Sequence, residues 1–271
     1  MHGTQMPVSL AVSTRWSGYV VTGAAVAYTS ITGTWVEPPA SCPSAGTAST
    51  LSAVWVGLGG YRTGSNILAQ IGTDANCSAA GKPAYFAWFE LLPDVAHTID
   101  GTVYAGDTIT STVAMLKANL VELRVENRTR HWTVTRKISW GLHDISTAEW
   151  IVEAPYSCVR FKCQRASLTN FGSLSIYDIG VVGNGLRGTL ASPDWTSTPL
   201  RLVPCVEEPP GVPAPKRQAG SASVWAGATP GGFSPDGRRF RISWVPATGT
   251  PPVCVGGYPG TPRGSPSMTI R

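Results

Sequence analysis

From Leu120 to Glu126 the chain reads Leu-Val-Glu-Leu-Arg-Val-Glu, with apolar and polar residues alternating. Asn127 to Arg130 follow as a turn, and a second β-rich run covers His131 to Ile138. A period of two is that of an extended strand with one covered face, so this stretch predicts a hairpin lying on a core. Further β-rich runs occur along the chain. Arg15 to Val21, Tyr28 to Val36, Ser52 to Leu58, Asn66 to Thr73, Tyr85 to Leu92, Thr108 to Met115, Ala166 to Asp178, Leu200 to Val203 and Phe240 to Trp244 all read as strands, the first two as a hairpin. Long helical periodicity is absent, and 30 Gly and 22 Pro supply the turns that many short strands need. The expectation is an all-β fold, an antiparallel β-sandwich or barrel, formed by one domain over residues 15–246. Residues 1–14 read as an unstructured lead-in, 206–218 as a Pro-rich loop within the domain, and 247–271 as a Gly/Pro-rich tail.

One strand does not fit a purely structural role. Thr147-Ala-Glu-Trp-Ile-Val-Glu-Ala-Pro155 places Glu149, Ile151 and Glu153 on one face and Ala148, Trp150 and Val152 on the other. Four residues of strand put the two carboxylates about 13 Å apart. Cooperating acids in hydrolysis sit closer, so a working glutamate here needs a partner on another strand. The polar residues found on other apolar strands are Gln70 and Glu90, the latter sharing a face with Phe86 and Trp88. Apolar walls around a few convergent polar groups describe a ligand cleft.

Several functions are excluded by what the chain carries. The net charge of +5 comes from scattered Lys and Arg rather than a basic stripe with interleaved aromatics, so no nucleic-acid partner is expected. No apolar run is long enough to cross a membrane as a helix. GxSxG, HExxH and P-loop motifs are absent, as is the Asp-Thr/Ser-Gly signature of pepsin-like enzymes, and His2, His97, His131 and His143 show no metal spacing. No cofactor is expected. Six cysteines without a CxxC pair suit an oxidised, secreted-type protein, although no signal peptide is readable in Met1 to Thr14. Cys158 and Cys163 flank a turn and are the first choice of bridge; Cys42, Cys77, Cys205 and Cys254 could equally be free thiols. Asn76-Cys-Ser78 and Asn127-Arg-Thr129 are glycosylation sequons.

Six motifs occur in the order and spacing of one family. They are Trp16-Ser-Gly-Tyr19, Trp55-Val-Gly-Leu-Gly-Gly60, Gln70-Ile-Gly-Thr-Asp74, Ala87-Trp-Phe-Glu-Leu-Leu-Pro93, Gly106-Asp-Thr-Ile109 and Ala148-Glu-Trp-Ile-Val-Glu-Ala-Pro155. The chain resembles the glutamic peptidases, or eqolisins, from about residue 15 to 205, and again at Ala228-Thr-Pro230 and Phe240 to Trp244. The resemblance implies a concanavalin-like jelly roll of two large, curved antiparallel sheets with a concave substrate cleft. It also implies a monomeric, pepstatin-insensitive acid endopeptidase acting on proteins and peptides. By motif position the catalytic pair is Gln70 and Glu153, with Trp55, Trp88, Glu90 and Trp16 lining the cleft; Glu149 matches a motif position but receives no catalytic role. The chain departs from the fungal members at Gly59 and Phe86, where they carry acids, and its pI near 9.0 is closer to the bacterial branch.

The residue types suit the reaction. An ionised Glu153 can take a proton from water and return it to the leaving nitrogen, and the Gln70 amide can donate to the developing oxyanion. Two rivals share the same sandwich: a glycoside hydrolase using Glu90 and Glu153, and a non-catalytic peptide- or sugar-binding module. The need for the Gln70 amide separates the first from a peptidase, and turnover separates the second.

Overall fold

The computed structural model describes residues 10–141, 143–159, 162–204 and 226–246, with the side chains of 157–164 left aside. No helix forms among them. The strands, in chain order, are β1 (Ala11–Ser13), β2 (Trp16–Thr22), β3 (Tyr28–Val36), β4 (Thr50–Leu51), β5 (Ala53–Gly59), β6 (Leu68–Cys77), β7 (Pro83–Leu91), β8 (His97–Ile99), β9 (Thr108–Lys117) and β10 (Leu120–Asn127). They continue with β11 (Trp132–Ser139), β12 (Thr147–Glu153), β13 (Tyr156–Val159), β14 (Lys162–Arg165), β15 (Ser167–Leu168), β16 (Ser173–Gly183), β17 (Leu186–Gly188), β18 (Thr196–Leu202), β19 (Ala226–Pro230) and β20 (Arg239–Pro246).

The pairings resolve into two antiparallel layers. One runs β8-β7-β6-β5-β12-β2-β18, with β1 added parallel to β18. The other runs β11-β10-β9-β3-β16-β20-β19. A single pairing, Leu202 with Ala228, links β18 to β19 and joins the layers along one edge. The expected β-sandwich is therefore present, and the β10–β11 hairpin forms in the register that buries Val121, Leu123 and Val125.

Between the layers lies the main core. The first layer contributes Val54, Val56, Ile71, Ala148, Trp150 and Val152, and the second Ile31, Trp35, Ile109, Val113, Ile176 and Phe240. Two indoles of this core find acceptors: Trp150 Nε1 donates to the Thr32 carbonyl at 2.8 Å and Trp35 Nε1 to Thr73 Oγ1 at 3.0 Å. Each of these bonds crosses from one layer to the other.

Two sequence expectations need correction, and one left open is resolved. β2 and β3 do not form a hairpin: β2 lies between β12 and β18, and β3 between β9 and β16 in the other layer. Both are apolar enough to be central strands, and a central strand has both edges taken. Ala11 to Ser13, read as part of the lead-in, form β1, and Ser13 Oγ accepts from the amides of Arg15 and Trp16 at 3.2 and 3.0 Å to turn the chain into β2. Cys42 and Cys77, left open as thiols, are joined in a disulfide that ties the loop after β3 to the end of β6. Their partnership depends on which strands the topology brings together, which spacing does not show. Cys158 and Cys163 occupy facing positions of the β13–β14 ladder, and Cys205 and Cys254 lie outside the described residues. Both sequon asparagines are buried and hydrogen-bonded, Asn76 to Asp74 and Asn127 to Asp107, so neither is presented for modification in the folded protein.

Candidate active site

Strand alternation and register together build the site on the face of the first layer that points away from the main core. Along one row stand Trp16, Glu153, Ala53, Asp74 and Phe86; along the next Gly18, Ile151, Trp55, Gly72 and Trp88; along the third Val20, Glu149, Gly57, Gln70 and Glu90. These residues come from β2, β12, β5, β6 and β7, each stepping by two. Trp16, Val20, Ala53, Trp55, Trp88 and Ile151 pack into a second apolar cluster, separate from the main core, and it forms the wall around the acids. Trp16 and Trp55 meet edge to face at 5.1 Å.

Gly72 is what allows Trp55 to sit there. A Cβ on Gly72 would lie 2.0 Å from the Val54 carbonyl oxygen and 2.7 Å from Trp55 Cβ, so any other residue would lift the neighbouring strand. Gly59 has a similar explanation. Its φ of +90° suits glycine, and a Cβ would come within 2.5 Å of the Asp144 carbonyl oxygen, so this backbone has no room for the acid that the fungal enzymes carry.

Glu153 is held at both oxygens. Arg15 Nε donates to Oε1 at 3.0 Å, Arg15 Nη2 makes a second contact with the same oxygen, and Trp55 Nε1 donates to Oε2 at 2.9 Å. Arg15 and Glu153 are each 4 % exposed. A carboxylate and a guanidinium buried together satisfy the requirement that an interior charge be paired.

Glu90 takes the amide of Gln70, Nε2 donating to Oε2 at 2.5 Å. Its pKa is pushed up to about 8, chiefly by burial and then by the charge of Glu153, with Gln70 and Arg15 pulling the other way. Asp74 is pushed up to about 7, again by burial first; Asn76 and the nearby Trp88 indole oppose the rise, and Glu153 adds to it. Phe86, the other departure from the fungal pattern, stands opposite Asp74 across β6 and β7 and helps to dry it. Glu149 is fully buried, and burial raises its pKa well above the usual carboxylate range despite the nearby Thr147 hydroxyl. The site therefore holds one carboxyl paired with a cation among acids whose pKa values burial raises.

Gln70 and Glu153 do not hydrogen-bond to each other. Gln70 is in register with Glu149, four residues along β12 from Glu153, which in a flat sheet would leave the two Cα atoms about 16 Å apart. Glu90 bridges the gap: it holds Gln70 directly and senses both Glu153 and Arg15. Trp16, Trp55, Trp88 and Glu90 all stand on this face. Two residues were missed. Arg15 opens a buried strand as a lone cation, and that anomaly is the signal that marks it. Asp74 lies within a quoted motif but needs its depth to be noticed.

Residues 14–194 match the model of the peptidase A4 family. The chain belongs to that family, the eqolisins, and is a protease. Solved structures agree on the fold. Scytalido-glutamic peptidase with a peptide-based transition-state analogue is 21% identical, with a TM-score of 0.62, over 86% of this chain and 99% of that one. SCP-B, an eqolisin in complex with the tripeptide Ala-Ile-His, is 20% identical with a TM-score of 0.59 over the same shares. Aspergilloglutamic peptidase from Aspergillus niger is 24% identical with a TM-score of 0.50, over 72% of this chain and 99% of that one. No curated protein sequence matches.

Proposed function

We propose that this eqolisin is an endopeptidase working at acid pH through Glu153 and Gln70. The observation that carries the reading is a buried carboxylate fixed at both oxygens by Arg15 and Trp55, on the same tryptophan-walled face as a buried amide. Among the acids of that face, only Glu153 has a cationic partner within salt-bridge distance among the described residues.

A peptide lying in the cleft presents its carbonyl between the two groups, with a water against Glu153. The carboxylate takes the water proton as the water oxygen attacks the carbonyl carbon. The Gln70 amide donates to the oxygen that becomes negative, and it does so without titrating. As the tetrahedral intermediate collapses, Glu153 passes its proton to the leaving nitrogen and is again ionised. The raised pKa values of Glu90 and Asp74 suit acid operation, because both keep their protons and add no competing charge. The disulfide supports a secreted, oxidised setting, and the chain acts as a monomer on protein or peptide substrates without pepstatin sensitivity.

The test is digestion of an unfolded protein between about pH 2 and 7 with pepstatin present, comparing wild type with Glu153→Gln. Glu153 acts as a base only if ionisable, so the variant should lose at least about a hundredfold in kcat/KM while staying folded. Full activity in the variant would overturn the dyad.

A further inference from the structure

Arg15 is a buried cation 138 residues from its partner in sequence, and its backbone is fixed as firmly as its side chain. The Arg15 carbonyl accepts from the amide of Ala154, the residue after Glu153, so the two ends of the ion pair share a backbone bond at 2.9 Å. Ser13 Oγ holds the Arg15 amide on the other side. The guanidinium lies 4.8 Å above the ring of Tyr156. Its Nη1 makes no hydrogen bond among the described residues, so the ionic contacts of Arg15 are spent on Glu153.

Among the described residues, the groups around the Glu153–Arg15 pair come from several elements: Arg15 ahead of β2, Trp55 on β5, Asp74 on β6, Glu90 on β7, and Tyr156 on β13 against the guanidinium. Three of them, with Glu153, form a buried cluster of three carboxyls and one guanidinium. Three carboxyls cannot all be charged in so dry a space, and the guanidinium offsets a negative charge only where it reaches, at Glu153. Which carboxyl bears the charge is therefore decided by where Arg15 reaches.

We propose that Arg15 is a positioning residue that makes Glu153 the charged member of the cluster and so extends peptide hydrolysis to lower pH than the cluster would otherwise allow. The proposal rests on Glu153 being the base. Without the guanidinium the cluster is three desolvated carboxyls with no cation in contact, and a negative charge there is harder to hold. A nearby opposite charge shifts a carboxyl by roughly one to three pH units, so the acid limb of the activity profile moves up by that amount.

The experiment compares the pH dependence of kcat/KM in wild type, Arg15→Met and Arg15→Lys, each checked for folding by circular dichroism at every pH used. Arg15→Met should move the acid limb up by about one to three units, losing roughly ten- to a thousandfold at the lowest pH while recovering most of its activity near its new optimum. Arg15→Lys keeps a cation and should leave the limb between those of wild type and Arg15→Met; if the methionine variant does not fold, Arg15→Gln takes its place. A folded Arg15→Met or Arg15→Gln whose acid limb stays at the wild-type position, or which is inactive at every pH, would overturn the proposal. Glu153→Gln run alongside separates the two ideas: if it still turns over, the base has been misassigned and the limb reports another group.

Discussion

Glu37 offers a stability measurement that does not depend on catalysis. It follows β3 and is fully buried, its Oε2 accepting from Thr73 Oγ1 and, at 3.3 Å, from Trp35 Nε1. Burial pushes its pKa up to about 8, the Thr73 and Trp35 bonds oppose this, and the charges of Asp74 and Asp107 add to it. In the unfolded chain a glutamate titrates near 4.3. Between those values the folded protein binds one more proton than the unfolded chain at this site, so stability must fall as pH rises. One proton corresponds to about 1.4 kcal/mol per pH unit, or roughly 4 kcal/mol from about pH 5 to 8. Glu37→Gln removes the titration while keeping an oxygen for Thr73 and Trp35. Urea unfolding of both proteins at several pH values over that window should show the variant losing stability less steeply, by about 1.4 kcal/mol per pH unit, on top of any constant offset. Parallel stability curves, or a wild type that gains stability towards neutrality relative to the variant, would refute the argument.

Two further outcomes are expected. Glu90→Gln removes an acid that deprotonates at about pH 8, so the alkaline limb of kcat/KM should move to higher pH, with a smaller loss of activity at acid pH than Glu153→Gln suffers; an unmoved alkaline limb, measured in the same peptide assay, would count against Glu90 as its source. Replacing Cys42 and Cys77 by serine frees a 35-residue separation and should lower the unfolding free energy by about 2 to 4 kcal/mol, read from urea melts under non-reducing conditions.

Much of the site was legible because strand alternation is a local property. The residues of Thr147 to Glu153 fall on the faces that period two assigns them, and Phe86, Trp88 and Glu90 do the same on β7. The layer to which each strand belongs was not legible: β2 and β3 are equally apolar, neighbours in sequence, and placed in different sheets by pairings with strands far along the chain. Arg15 escaped notice for a related reason, since its partner is set by the β2–β12 register, and a cation at the start of a strand ordinarily faces water. The raised acids were invisible for another reason. Glu37, Asp74 and Glu149 differ from surface carboxylates only in depth, and depth is a property of the packed layers.

β12 serves two masters one residue at a time. Its odd-numbered positions face the candidate cleft and its even-numbered positions face the main core, so the two sets of side chains answer to different surroundings. A single inserted or deleted residue would exchange them, carrying Trp150 into the cleft and a glutamate into the sandwich. Tolerance to change along this strand should therefore be read like a frame: substitutions at 149 and 151 act on the cleft wall and leave the main core in place, while a shift of phase disrupts both at once.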